Sequence, residues 1–130
     1  MKNVTSGALI FFLGLVAGGT LTFSIAAEDT APKAFLIVAA DRNPGISEAD
    51  YGPYRQAAGP LAAAAGLSMT AASQAPRLLE GNWPFGNVAI EQFDSMQALQ
   101  EFWYSDGYQQ AIALRKDLST INFIVAVEGN

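Results

Sequence analysis

The chain has no cysteine and no histidine. Without cysteine there is no disulfide, no thiolate nucleophile and no thiol for lipid attachment. Without histidine there is no imidazole general base, no Ser-His-Asp triad, no His-ligated haem and none of the usual zinc sites. A carboxylate-only site for a hard cation stays open in principle. No Asp-x-Asp-x-Asp-Gly loop or paired-acid spacing supports one, so neither metal nor cofactor is expected. Charge is also scarce. Charged residues make up 15% of the sequence and apolar ones 51%, against roughly a quarter charged in an average soluble domain.

Part of that scarcity is local. The first 27 residues carry one charge, Lys2, so the six other basic residues and all 12 acidic ones leave the remainder at −6. Such a domain lacks the electrostatic footprint for nucleic acid and is not drawn to an anionic membrane surface. The 130 residues suffice for one domain.

Residues 1–27 read as a targeting segment. Lys2 and the amino terminus form a positive end, and Gly7 to Ala27 is uncharged for 21 residues. The small residues around Ser24-Ile25-Ala26-Ala27 fit export with cleavage after Ala26 or Ala27. The rival reading is an uncleaved membrane anchor, since about 20 apolar residues span a bilayer. Gly14, Gly18 and Gly19 would then offer a small-residue face to another helix. Either way the rest of the chain lies outside the cytoplasm, in the periplasm or beyond, free or tethered to the inner membrane. Membrane contact is expected only through residues 7–27, and only if they are retained. Residues 28–32 are an acidic, proline-containing linker, and residues 33–130 form the domain.

Within the domain, Phe35 to Ala40 is a continuous apolar run, the mark of a strand covered on both faces. Asp41-Arg42-Asn43-Pro44-Gly45 has turn chemistry. Ser47 and Asp50 form a weak capping box for a helix over about 48–65. Pro60 is expected to kink that helix or shift its start, and Gly66 to end it. Leu67 to Ser73 reads as a second strand, Arg77 to Glu80 as a short extra one and Val88 to Phe93 as the third. In the third, Val88 and Ile90 point one way and Ala89, Glu91 and Phe93 the other. Asp94-Ser95-Met96-Gln97 opens a second helix, with Met96, Leu99, Phe102 and Trp103 at helical spacing. Asp106-Gly107 breaks or bends it. Ile121 to Val127 is the fourth strand.

The order is βαββαβ. The fold class is therefore α+β, a ferredoxin-like antiparallel sheet with two helices on one face. The first and last strands are apolar on both sides, and the chain has no spare helix for the second face. That implies a homodimer packed sheet against sheet. The runner-up is an open face for an apolar ligand or another protein.

A family signal lies in Glu80-Gly81-x-Trp83-Pro84, Phe93-x-Ser95-Met96-x-Ala98, Trp103-Tyr104-Ser105-x-x-Tyr108-Gln109 and Arg115. Lys33, Tyr54, Gly66 and Glu128-Gly129 fit the same pattern. From about Lys33 to Gly129 the chain resembles the domain-of-unknown-function-1330 family. The resemblance implies the dimeric α/β-barrel superfamily and no known reaction. The chain departs from the family at Gly66-Leu67, where a Gly-Gly pair is usual. It departs also at Thr70-Ala71-Ala72-Ser73, where an Arg-Gly-Gly-like segment is usual, and at Asn87, where a basic residue is. If those positions shape a pocket in relatives, the pocket here is less basic.

The candidate ligand-binding residues are Glu80, Trp83, Glu91, Tyr104, Tyr108 and Arg115. Glu91 stands mid-strand among apolar neighbours, where a carboxylate is costly unless paired, and burial would raise its pKa toward acid–base use. The structural alternative is an ion pair with Arg77 or Arg115, or exposure at a sheet edge. Arg115 could clamp an anion, pair with Asp106 or complement a helix C-terminus. Trp83 and Trp103 could line a cavity or simply pack. Tyr54, Tyr104 and Tyr108 could present hydroxyls to a ligand or to water.

Three functional classes follow. The reading taken is an exported homodimeric protein, structural or binding a small organic ligand. The alternatives are a cofactor-free enzyme, oxygenase-like by superfamily analogy, and an envelope protein-interaction module. A polar cavity near Glu91, Trp103 and Tyr108 would favour the enzyme.

Overall fold

The computed structural model describes residues 31–130, so residues 1–27, where a targeting segment is expected, lie outside the described residues. The elements are β1 (Ala34–Arg42), α1 (Gly52–Ala64), β2 (Ser68–Ser73), β3 (Val88–Phe93), α2 (Met96–Trp103), α3 (Asp106–Arg115) and β4 (Ser119–Glu128). The strands form one antiparallel sheet in the order β2-β3-β1-β4. This is the ferredoxin-like arrangement: β1 and β3 are central, β2 and β4 are edges.

Alternation along β1 divides the two faces of the sheet. Ala34 and Leu36 join Phe93, Leu99, Phe102, Tyr108, Ala111 and Ala58 in the buried core on the helix side, with Val38 packed against it. Phe35, Ile37 and Ala39 point the other way, level with Val127, Val125 and Phe123 of β4. Met96, Leu99, Phe102 and Trp103 do form the inward stripe of α2.

Local chemistry sets the helix ends. Before α1, Glu48–Tyr51 make one 3-10 turn, where the Ser47 N–H donates to the Asp50 carboxylate at 2.6 Å. The α-helix proper begins only at Gly52, with proline in its first turn, and runs through Pro60 without interruption. Pro60 lies on the exposed side, so water can solvate the carbonyl one turn back that loses its donor. The helix closes on Gly66, at φ 74°. Gly66 N–H bonds to the Ala63 carbonyl at 3.1 Å and Leu67 N–H to that of Ala62 at 3.0 Å, which is a Schellman closure.

The second helical segment is split at Tyr104–Ser105 rather than at Asp106-Gly107. Ser95 caps α2 by accepting from Ala98 N–H at 3.0 Å, and Ser105 caps α3 by accepting from Tyr108 N–H at 3.3 Å. Asp94 takes no part in the cap and instead pairs with Lys33 at 2.6 Å. Gly107 is not a breaker. A Cβ there would come within 3.1 Å of the Leu61 side chain, so glycine lets α3 approach α1 closely.

Arg77 to Glu80 is not a strand. Gln74 to Asn87 has no regular structure, for Pro76 and Pro84 cannot donate to a ladder. This segment folds over one end of the helix-free face. There Trp83, Phe85 and Phe123 meet edge to face, with centroids 4.9 to 5.8 Å apart, above fully buried Ala39. Its return is fixed by Gly86 N–H on the Asp41 carboxylate at 3.0 Å and by the Asn87 amide on the Ala40 carbonyl at 2.9 Å. The rest of that face stays open: Val125 and Val127 are 44% and 45% exposed.

Phe93 is the largest fully buried side chain, and its ring lies 5.4 Å from that of Phe102. Phe93→Ala is expected to lower unfolding free energy by about 3–5 kcal/mol, read as a reduced urea midpoint. A loss below about 1 kcal/mol would mean that the ring does not clamp α2 onto the sheet.

Candidate functional site

Glu91 is the carboxylate that the central sheet turns toward the helices. It pairs with Leu36 of β1 and Met69 of β2, and shares the helix side with Leu36 and Phe93. Above it, Tyr108 and Arg115 stand seven residues apart on α3, two helical turns, and so share one face. Tyr54 of α1 completes the group: its hydroxyl lies 3.2 Å from that of Tyr108, and the Arg115 guanidinium sits 5.7 Å from its ring centroid.

These four side chains and Trp103 line a cavity of about 120 Å³ between sheet and helices. Its remaining wall is largely apolar, from Leu36, Val38 and Ala40 of β1 and Ile121 and Ile124 of β4. A second space of about 370 Å³ lies under α1, bounded by Ala58, Gly59, Ala62 and Leu67. It reaches Tyr54, Glu91 and Tyr108 from the other side. Glu91 therefore borders both spaces.

Electrostatics follow from burial. Removal from water pushes the Glu91 carboxyl above its ordinary value of 4.5, and the charge of Arg115 only partly opposes this. Burial also raises the Tyr108 hydroxyl, and its hydrogen bond with Tyr54 adds to the effect. Tyr108 thus stays a neutral hydroxyl. Glu91 is the group able to gain or lose a proton in the accessible range. The ion pairs among the described residues join Lys33 to Asp94 and Arg42 and Arg55 to Glu48. Neither Glu91 nor Arg115 takes part in one, so the structural alternative of a direct pair is not what the geometry shows.

The other sequence candidates lie elsewhere. Tyr104 is 73% exposed at the break between α2 and α3. Glu80 and Trp83 border a space of about 440 Å³ under the Pro76–Glu80 segment, on the opposite side of the sheet. There the indole N–H of Trp83 is buried without a partner. Tyr54 and Trp103 belong to the cavity, although neither stands among the six candidates. Their signal is tertiary, since only the packing of α1 on α3 brings Tyr54 to Tyr108.

One further space was not foreseen. A groove of about 560 Å³ opens at the end of β1, between Arg42, Tyr51, Arg55 and the start of β3 at Asn87 and Val88. Its charged wall is internally matched, because Glu48 accepts from both Arg42 and Arg55. Tyr51 is likewise occupied, donating to the Leu118 carbonyl at 3.0 Å. No group of three or more carboxylates gathers as a metal site among the described residues. Glu91 stands alone in the cavity, with too few oxygen donors beside it for a hard cation.

A sheet of order β2-β3-β1-β4 with helices on one face defines a ferredoxin-like domain. Residues 33–130 match the model of a domain of unknown function, DUF1330, and the chain belongs to that family. A comparison with curated protein sequences gives no match. Solved structures share the fold. A protein of unknown function from Rhodopseudomonas palustris aligns with TM-score 0.55 and 17% identity, over 78% of this chain and 84% of that one. The hydroxynitrile lyase of Passiflora edulis gives 0.52 and 13%, over 78% and 95%. SnoaB of Streptomyces nogalater, described as a cofactor-independent oxygenase, gives 0.50 and 12%, over 77% and 95%. At these identities the likeness is one of fold.

The raised Glu91 carboxyl has a consequence for stability. Its folded pKa exceeds the unfolded one, so the folded state holds the extra proton. Stability from this group is full below about pH 4.5 and falls as pH rises through the folded value. Glu91→Gln keeps the shape and removes the titration. Chemical denaturation at stepped pH is expected to show wild type losing stability relative to the variant as pH climbs from acid to neutral. Parallel curves would mean that the carboxylate is solvated at no cost.

Proposed function

We propose that this is an exported homodimeric domain that holds a small organic molecule in the cavity between sheet and helices. The observation that carries this is the convergence of Glu91, Tyr54, Tyr108 and Arg115 on an otherwise largely apolar cavity of about 120 Å³. A few polar groups on an apolar wall are what small-molecule sites are made of. Neither charge is consumed by an ion pair among the described residues.

Support for the dimer comes from the helix-free face. Val125 and Val127 of β4 are nearly half exposed, beside Phe35 and Ile37 of β1. No element among the described residues covers them. A second copy packed sheet against sheet would. Support for export comes from the sequence of residues 1–27 alone.

A second reading is favoured by one observation. Glu91 has its pKa raised beside a cation and a hydroxyl pair, the setting of a general acid–base. On that reading the domain is a cofactor-free enzyme, and the oxygenase that shares its fold is an analogy only. An interaction module gains less support, because the helix side holds cavities rather than a filled core.

Two experiments test the main reading. Native mass spectrometry of the protein purified from its own host is expected to show a retained small molecule, lost in Val38→Phe, which fills the cavity. The same spectra read the mature N-terminus, expected after Ala26 or Ala27. A ligand-free wild type that also binds nothing in a fragment screen would end the ligand reading. For the dimer, light scattering should give twice the chain mass for wild type and one chain mass for Val125→Glu, which buries a charge in the interface.

A further inference from the structure

We propose that the molecule held in this cavity is a small monocarboxylate, taken up together with one proton. This rests on the small-ligand reading and gives it a chemical class.

The first argument is a cation that has an aromatic neighbour, Tyr54, but no carboxylate partner. Arg115 lines the cavity, and no carboxylate pairs with it among the described residues. A guanidinium presents a planar fork of donors that matches a carboxylate. The second argument is the sense of the remaining polar groups. Within the Tyr54–Tyr108 pair one hydroxyl donates to the other. That uses one of the pair's two hydroxyl protons and leaves the other free to donate. Donors therefore outnumber acceptors at this wall, and an anionic oxygen satisfies them.

Glu91 is the exception, and it supplies the coupling. Ionised, it can only accept hydrogen bonds and would repel a carboxylate. Protonated, it becomes a donor and the site accepts one. The groups facing it are Arg115 and Tyr108 from α3 and Tyr54 and Arg55 from α1. Leu36 and Met69 beside it on the sheet, and Phe102 and Trp103 from α2, bring no charge. One added carboxylate and one proton leave the net charge of the site unchanged. The raised Glu91 carboxyl makes that proton available at milder pH.

Size limits the acid. The cavity has a volume of about 120 Å³. It is slightly below the ~150 Å³ cavity that admits benzene. An acid of about three to five carbons fits, its chain against Leu36, Val38 and Ile124.

The test titrates the full-length chain with butyrate and with isosteric butyramide, in steps from about pH 5 to about pH 9, above the ordinary carboxyl value. The expected result is butyrate bound at least tenfold tighter than butyramide at the acid end. Its affinity should fall about tenfold per pH unit once Glu91 ionises. Glu91→Gln should keep the preference and lose the pH dependence, since the amide still donates. Arg115→Gln should bind both probes alike, and Arg115→Lys, which keeps the charge without the fork, should fall between. Equal binding of the two probes by wild type overturns the proposal and leaves a site for neutral molecules. A butyrate affinity independent of pH overturns the coupled proton. Binding of neither probe overturns the proposal, and the retained mass in the native spectra then decides the broader ligand reading separately.

Discussion

The ring of Tyr108 joins the two halves of this fold. It is 6% exposed, and lies 4.1 Å from the ring of Phe102 and 5.4 Å from that of Trp103. Its hydroxyl meets Tyr54 of α1. One side chain thus ties α3 to α2 by stacking and to α1 by a hydrogen bond. Phe102 passes the contact on to Phe93 in the sheet. The aromatic row closes one side of the space between helices and sheet. The phenolic tip of the same residue borders the side that stays open. Core and cavity are therefore parts of one packing solution, and the site is held by the residues that hold the fold.

The space under α1 stays open because of what α1 brings to it. The face of α1 turned inward is built from Tyr54, Ala57, Ala58, Leu61 and Ala62. Gly107 lets α3 approach Leu61 closely, so α1 rests on α3. Alanine methyls do not reach far enough to fill the gap left above Glu91. Close packing elsewhere in the core makes such a gap costly, since its lining loses dispersion contacts. A gap walled only by apolar groups would have been filled by a larger side chain at little cost. Here the wall includes two hydroxyls that bond each other and a carboxyl, which solvent or a ligand can satisfy.

Much of the fold was legible because its strands are short apolar runs with clear breaks. β1, β3 and β4 announce themselves through Phe35 to Ala40, Val88 to Phe93 and Ile121 to Val127. Gly66 is legible as a helix end because a positive φ there needs glycine. Gly107 misleads for the same reason: a glycine inside a helical pattern reads as a break, whereas its role is close approach between α3 and α1. The strand suggested by Leu78 and Leu79 fails because hydrophobicity alone does not supply a partner. Leu79 is 90% exposed, in a segment bracketed by prolines. In the cavity, Glu91 could be picked out as a carboxylate in an apolar strand, and Tyr108 with Arg115 by helical spacing. Tyr54 reaches them only through tertiary packing, which no local spacing encodes.

The two faces of the sheet carry different burdens. On the helix side Phe93, Leu99, Phe102 and Tyr108 pack into one core, and Glu91, Tyr54, Tyr108 and Arg115 converge on the cavity. On the other side the Trp83–Phe85–Phe123 cluster covers one end only, built by a segment that Asp41 and Asn87 pin in place. The uncovered end carries β-branched residues, which suit a flat packed surface rather than solvent. A cover from a second copy would leave Glu91 untouched, because β1 and β3 stand between that interface and the cavity. The sheet then acts as a rigid floor. On the proposed reading its far side meets a second copy and its near side a ligand, while central strands paired on both edges keep Glu91 in register with α3.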